Sequence, residues 1–390
     1  MTKKKINIAM LGVGFMGKAH SNGWMKVSKF FDVPYEPVFK IACGLIKEET
    51  DAFAARWGYE FTTQDWKEVV TRDDVDIVCV ATTTDMHKDM VVEAARHGKA
   101  IFCEKPVALS YIEACEMADA VKKAGVLNYL NHNYRRVPAV AYAKKLIEEG
   151  QIGTLYHYRG AYLQDWIMNP DFPLTWHLKK ETASAGPLWD LGSHSVDLAQ
   201  YLVGDIASVM AVNKTFINER PLPGKGAATF TAGKAENDGK GIVTVDDASF
   251  MVTEFENGVL GSFDNTRFAG GRKNMHSFEI YGSKGSLCFN FERMNELQYF
   301  SRNDDPNNQG FRDILVTEPT HPYAGAWWAP GHLIGYEHLF VHAMADFLNA
   351  LEEKKTVEPN MEDGKKIMRV LDAAQKSNKE SRKVTVSEIN

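Results

Sequence analysis

Six residues, Gly12-Val13-Gly14-Phe15-Met16-Gly17, constrain the fold more than any other stretch of the chain. They follow the apolar segment Ile6 to Leu11 and open an amphipathic one, so a buried strand is predicted to turn sharply into a helix. Glycine at 12 permits the tight turn, glycine at 14 lets the backbone approach a ligand, and glycine at 17 lets the helix lie close to the sheet. Glycines also mark ordinary turns. Here the placement after an N-terminal buried strand makes Gly12, Gly14, Phe15, Met16 and Gly17 candidate binders of a dinucleotide pyrophosphate, which a helix N-terminus attracts.

The rest of the first third keeps the same rhythm. Strands are predicted at Ile6 to Leu11, Val38 to Cys43, Glu60 to Thr62, Asp76 to Ala81, Ala100 to Cys103 and Leu127 to Leu130. Helices are predicted near Lys18 to Met25, Glu48 to Trp57, Asp65 to Thr71, Lys88 to His97 and Tyr111 to Lys123. Alternation of this kind buries both faces of a sheet, so an α/β, doubly wound parallel domain is expected over residues 1–132. A chain of 390 residues is too long for one core, and the texture changes after a helix at Ala139 to Glu149. Alternating segments at Val209 to Phe216, Asp247 to Phe255, Val259 to Arg267, Ser277 to Gly282, Ser286 to Asn290 and Leu297 to Ser301 predict a mainly antiparallel sheet. Residues 133–390 therefore form the second domain, with tail helices at His338 to Glu352 and Met361 to Glu380 that fold back on one of the two. Arg220 to Gly241 and Asn303 to Pro330 read as long loops, and the second, with Tyr323, Trp327 and Trp328, is a candidate for a substrate cleft or a neighbouring subunit.

Composition excludes several partners. With 45 basic against 51 acidic side chains, and no basic stripe beyond Lys3 to Lys5, no nucleic-acid surface is expected. No apolar run is long enough to span a membrane, and the N-terminus lacks a signal-peptide core, so a cytoplasmic protein is expected. The five cysteines form no Cys-x-x-Cys pair, which favours packed, reduced thiols over disulfide or zinc duty, and no metal site is read.

The second strand departs from pattern. It ends Ile41-Ala42-Cys43-Gly44, where an acidic residue is expected to read the adenosine ribose of NAD, and the approach to it is stretched by an apparent insertion around Lys26 to Pro37. With Cys43 in the place of the acid and Lys47 nearby to meet a ribose phosphate, NAD or NADP fits, with NAD at most mildly favoured.

Two further segments carry chemistry. Glu104-Lys105-Pro106 closes the fifth strand at the end where such sheets build their sites. It is either a solvated turn or the place where Lys105 binds a substrate hydroxyl and stabilises charge on its oxygen. In the second domain Gly186 to Asp197 leads into a helix predicted to continue to Leu202, with Asp190 and His194 four apart on one face. Such a pair is a local salt bridge or cap, or an imidazole held by a carboxylate and suited to taking a proton near neutral pH.

Together the Gly12 to Gly17 loop, Glu104-Lys105-Pro106, Asn133-Tyr134-Arg135-Arg136 and the Gly186 to His194 segment resemble the glucose-fructose oxidoreductase and inositol dehydrogenase family, Gfo/Idh/MocA, across nearly the whole chain. The resemblance implies a Rossmann domain, a second α/β domain with a large open sheet, hydride transfer from a sugar or polyol alcohol to a nicotinamide, and a homodimer or homotetramer packed through that sheet. It assigns the catalytic lysine to Lys105, and the carboxylate and proton-transferring histidine to Asp190 and His194. Lys105, Asp190 and His194 also bind substrate, with Tyr134 and Arg135 beside them. Glu104, Lys105, Thr82 and His87 join the cofactor set, although Thr82-Thr83-Thr84 departs from the family's Thr-Pro-Asn. Gln164, Asp165, Trp166 and Trp176 are similar to the levoglucosan dehydrogenase subgroup and mix aromatic faces with polar groups, as a carbohydrate pocket requires. Two rivals stand: a glycosidase that oxidises its substrate transiently with retained NAD, and a non-catalytic cofactor-binding regulator.

Overall fold

The structure, a computed structural model, describes residues 3–224 and 239–390. Its contacts divide the chain into one unit made of residues up to Arg136 with Ile334–Lys365, and another made of Val137–Leu333 with Lys366–Asn390.

In the first unit β1 (Lys4–Leu11), α1 (Phe15–Phe30), β2 (Tyr35–Cys43), α2 (Lys47–Trp57), β3 (Phe61–Thr63) and α3 (Trp66–Thr71) are followed by β4 (Ile77–Val80), α4 (Thr84–Arg96), β5 (Ala100–Cys103), α5 (Tyr111–Ala124) and β6 (Asn128–Leu130). The strands form one parallel sheet in the order β3-β2-β1-β4-β5-β6. Every residue of β4 and β5 is buried, as helices on both faces demand. The order reverses between β1 and β4, which places a ligand crevice beyond the carboxyl ends of those strands. The stretch read as an insertion is ordinary structure: α1 runs on to Phe30 and β2 begins at Tyr35. Polar Lys26, Ser28 and Lys29 mask the helical spacing of its buried Trp24 and Val27.

The second unit holds α6 (Pro138–Glu148), β7 (Leu155–Leu163), α7 (Lys180–Ala183), α8 (Pro187–Asp190), α9 (Gly192–Leu202), β8 (Ile206–Lys214), β9 (Glu219–Pro221), β10 (Lys240–Ile242), β11 (Ala248–Phe255), β12 (Leu260–Thr266), β13 (Met275–Gly282), β14 (Gly285–Asn290), β15 (Glu296–Ser301) and β16 (Arg312–Leu315). After them come α10 (His338–Glu353), which belongs to the first unit, α11 (Met361–Glu380) and β17 (Val384–Thr385). The large sheet runs β16-β15-β14-β13-β7-β12-β11-β8-β17, with β7 and β12 parallel and its other pairs antiparallel.

One strand of this unit was not foreseen, and two expected loops need correction. β7 is a central strand that the sequence pattern hides, because its inward positions are Tyr158, Gly160 and Tyr162 rather than aliphatic residues. The stretch expected as a loop from Asn303 to Pro330 contains β16. The loop expected over Arg220 to Gly241 is flanked by the paired β9 and β10, while its residues 225–238 lie outside the described residues. On the outer face of the sheet Met210, Val212, Phe250, Val252 and Leu260 are exposed, with Phe250 opposite Val212 and Val252 opposite Met210. Among the described residues no helix is long and apolar enough to cross a membrane.

Candidate active site

The first unit builds its part of the site mainly from backbone. Gly12 has φ +103°, and a Cβ there would lie 2.4 Å from the Ala81 carbonyl oxygen, so only glycine lets β1 pass that close to the end of β4. At Gly14 a Cβ would meet nothing within 4 Å. The loop thus leaves open room where a pyrophosphate is expected, and the first turn of α1 carries no acidic side chain to repel it.

At the end of β2 the backbone is closely packed on both residues that follow Ala42. A Cβ on Gly44 would meet Thr50 Oγ1 at 2.5 Å and Val13 Cγ2 at 2.9 Å. Cys43 is buried, its thiol is pushed up to about 12 by burial and then by the charges of Asp65 and Glu68, and its carbonyl accepts the Gly12 N–H at 2.9 Å. Cys43 therefore serves the loop through its backbone. Lys47 pairs with Asp51, one turn along α2, and Leu45 is 94% exposed at the strand end.

His87 lies in the first turn of α4, fully buried, with Nδ1 2.9 Å from the Pro106 carbonyl and Nε2 3.3 Å from that of Thr82. Burial lowers its affinity for a proton despite those carbonyls. It ties the turn after β4 to the turn after β5, where Lys105 stands. Thr82 Oγ1 approaches the Thr83 carbonyl and the Met90 sulfur.

Glu104 is the centre of a buried network that the sequence did not show. His20 Nε2, from α1, donates to Glu104 Oε1 at 2.7 Å, Asn131 Nδ2 donates to the same oxygen at 2.6 Å, and the Lys105 N–H donates to Oε2 at 3.2 Å. Burial works to raise the Glu104 carboxyl, but His20, Asn131 and Lys105 outweigh it and hold the group below the usual carboxylate range. The neighbouring His132 is held well below its ordinary value by burial, then by the charges of Arg135 and Lys105, so a neutral imidazole stands within electrostatic reach of the lysine. Tyr134 and Arg135 are buried, and Arg135 pairs with Asp363 at 3.5 Å.

The second unit builds its part from side chains. α8 and α9 are separate segments joined at Leu191, so Asp190 and His194 do not share one regular helix as expected. At the joint the His194 N–H bonds the Leu191 carbonyl at 3.1 Å and Ser193 Oγ donates to the Asp190 carbonyl at 3.3 Å. The start of α8 is capped from afar: Asp246 accepts the Gly186 N–H at 2.8 Å and the Leu188 N–H at 2.9 Å. Just beyond β12, Arg267 Nη2 donates to Asp190 Oδ2 at 2.6 Å. Two residues earlier on the same inward face, Ser195 Oγ lies 2.6 Å from Asn265 Oδ1. His194 is thus bracketed by two contacts from one strand. Tyr162 stacks on His276 with centroids 4.6 Å apart and lies 5.8 Å from the His194 ring.

The polar groups proposed to read hydroxyls are engaged with one another or with neighbours. Trp166 Nε1 donates to Gln164 Oε1 at 2.8 Å and Gln164 Nε2 donates to Asn274 at 2.9 Å. Asp165 accepts Lys273 Nζ at 2.8 Å and the Gly271 N–H at 3.1 Å. Trp176 stacks on His177 at 3.6 Å. Lys105 belongs to the first unit, Asp190 and His194 to the second. Sequence reading missed His20, Asn131, Asn265 and Arg267; for the last two, polar residues two apart at the end of an otherwise apolar strand face were the available signal.

Comparison with known proteins agrees with these two chemistries. Residues 6–132 match the model of an oxidoreductase family with an NAD-binding Rossmann fold, GFO/IDH/MocA, and residues 140–288 match a GFO/IDH/MocA C-terminal domain. Levoglucosan dehydrogenase from Pseudarthrobacter phenanthrenivorans is 40% identical over 389 residues, covering 99% of this chain and 100% of that one. A solved levoglucosan dehydrogenase in complex with NADH and levoglucosan is 39% identical, with a TM-score of 0.93 over 98% of this chain and 100% of the other. The 2,7-anhydro-N-acetylneuraminate hydratase of Escherichia coli is 28% identical, covering 98% of both chains.

Proposed function

From the premise that the chain belongs to the GFO/IDH/MocA family of NAD-binding oxidoreductases, we propose that it oxidises a secondary alcohol of a sugar, anhydrosugar or cyclic polyol to a ketone. The observation that carries this reading is the Arg267–Asp190 ion pair at the joint that leads into His194, in a chain that also places Lys105 on a built network. His194 takes the hydroxyl proton, Asp190 stabilises the imidazolium that results, and Lys105 holds the substrate oxygen as it gains charge. The Gly12 to Gly17 loop and the end of β2 hold the dinucleotide, and a bound nicotinamide supplies the hydride acceptor. Trp166 and Trp176 offer apolar faces to sugar C–H groups.

The enzyme works as a homodimer or homotetramer, for which the adjoining exposed Met210, Val212, Phe250 and Val252 argue: an apolar patch of this kind is covered by a second copy of itself. Its five cysteines are free thiols, three of them buried, as suits the cytoplasm.

The test is a screen of purified protein with NAD+ and NADP+ against levoglucosan, inositols and aldoses. Nicotinamide reduction with a carbohydrate alcohol supports the reading, and none with any of them overturns it. Conversion of an anhydrosugar without net reduction selects transient oxidation, the second reading, which the likeness to a hydratase favours.

A further inference from the structure

A buried guanidinium is costly unless something holds it there. Arg267 is 1% exposed, its Nη2 lies 2.6 Å from Asp190 Oδ2, and its charge sits 5.2 Å from the centre of the Trp166 ring. Its Nε and Nη1 are buried without a hydrogen-bond partner, so Asp190, the aromatic face and the charge of the buried Asp246 carboxyl stabilise the cation. Asp190, by contrast, is 27% exposed at the joint between α8 and α9. The arrangement is a buried, fixed cation gripping a partly exposed carboxylate.

We propose that Arg267 is the positioning residue of the Asp190–His194 pair, fixing the carboxylate in place and tempering its pull on the imidazole proton. The proposal rests on the reading that His194 takes the substrate proton. The geometry supports it from two sides. β12 contacts the α8–α9 segment through Arg267 on Asp190 and through Asn265 on Ser195, so the strand sets the position of the residues on either side of His194. A bare carboxylate beside His194 would stabilise the imidazolium and leave a base too willing to stay protonated; a cation behind the carboxylate offsets part of that pull. Among the described residues the other ionisable groups on α9 and the elements packed against it include Tyr158 and Tyr162 on β7, Lys144 on α6 and Asp197 and Tyr201 in α9 itself, with His276 on β13 at 6.1 Å between rings.

The experiment follows the His194 midpoint by NMR in full-length protein labelled with 13C-histidine, its resonance identified by loss in His194→Gln. Arg267→Gln, which removes the charge, is expected to raise the midpoint by about one pH unit, a tenfold change in proton affinity. Arg267→Lys, which keeps the charge, is expected to titrate within about 0.3 units of wild type. An unmoved or lowered midpoint in folded Arg267→Gln overturns the proposal, as does a Lys variant that shifts as far as the Gln variant. Removing one partner of a buried pair can prevent folding. In that case the double variant Arg267→Gln with Asp190→Asn is compared with Asp190→Asn alone, and the double variant must titrate higher; equal midpoints overturn the proposal. The rate of levoglucosan oxidation against pH is recorded for the same proteins. If the midpoint moves and the acid limb of the rate does not follow it, Arg267 still tempers the pair and it is the role of His194 as proton acceptor that fails.

Discussion

The two units reach their functions by opposite routes. In the first, a glycine loop with no room for a Cβ at Gly12 and open space at Gly14 presents backbone to a ligand, and consecutive residues do most of the work. In the second, Asp190, His194, Asn265 and Arg267 come from segments far apart in sequence and act through side chains. A site made of backbone tolerates changes of side chain but no change of conformation, whereas one made of side chains is lost residue by residue. That contrast predicts which variants lose binding and which lose chemistry.

The largest effect is expected where side chains move protons. Lys105→Met and His194→Ala should each lower turnover by about 10²- to 10⁴-fold while NADH affinity, measured by fluorescence titration, stays within a few-fold of wild type. Normal turnover in either variant would break the comparison.

Next come the glycines, which separate strain from access. Gly12→Ala forces a side chain into φ +103° and against the Ala81 carbonyl, and should cost about 1–3 kcal/mol of stability in urea unfolding. Gly14→Ala meets nothing in the protein, so stability should stay within about 0.5 kcal/mol while NADH binding weakens at least about tenfold. Equal losses of stability in both variants would contradict the open cradle at Gly14.

How much of this could be read from sequence follows the same contrast. The first unit was legible because its loop and strands are contiguous and buried on both faces, so Ala100–Cys103 falls as expected and Gly12 to Gly17 opens α1. Asp190 and His194 were found because they lie four apart, but the joint at Leu191 was hidden, since helical spacing does not reveal where one helical segment ends and the next begins. Arg267 and Asn265 gave weak signals, and His20 gave none, because its partner Glu104 is 84 residues away. The acid absent at Cys43 was visible; that Thr50 and Val13 leave no room for a side chain at the next residue, Gly44, was not.

A smaller effect is expected at Glu104, where the first unit relies on a side-chain network. Its carboxyl ionises more readily in the folded chain than in the unfolded one, so its stabilisation is complete above the ordinary value of 4.5 and is lost as the pH falls through the depressed folded value. Glu104→Gln should therefore flatten the acid side of a stability-against-pH curve. An unchanged acid slope would show that the network does not hold the charge.

The smallest effect concerns the nucleotide. With no carboxylate at the end of β2, wild type should discriminate between NAD and NADP weakly. Leu45→Asp, exposed and free of strain, should shift the ratio of specificity constants a few-fold toward NAD by repelling a ribose phosphate, a screened surface effect of about 0.2–1 kcal/mol. Cys43→Asp, which buries a charge beside Asp65 and Glu68, should instead lower the melting temperature.

The central claim is that this chain moves a hydride from a carbohydrate carbinol to a nicotinamide. It is tested most directly with levoglucosan carrying deuterium on its secondary carbinol carbons, incubated with NAD+ and followed by NMR of both products. The account predicts deuterium at C4 of the reduced nicotinamide with an equal amount of keto sugar, and none with His194→Ala over the same time. Reduced nucleotide without deuterium, or altered sugar with no reduced nucleotide, would contradict it.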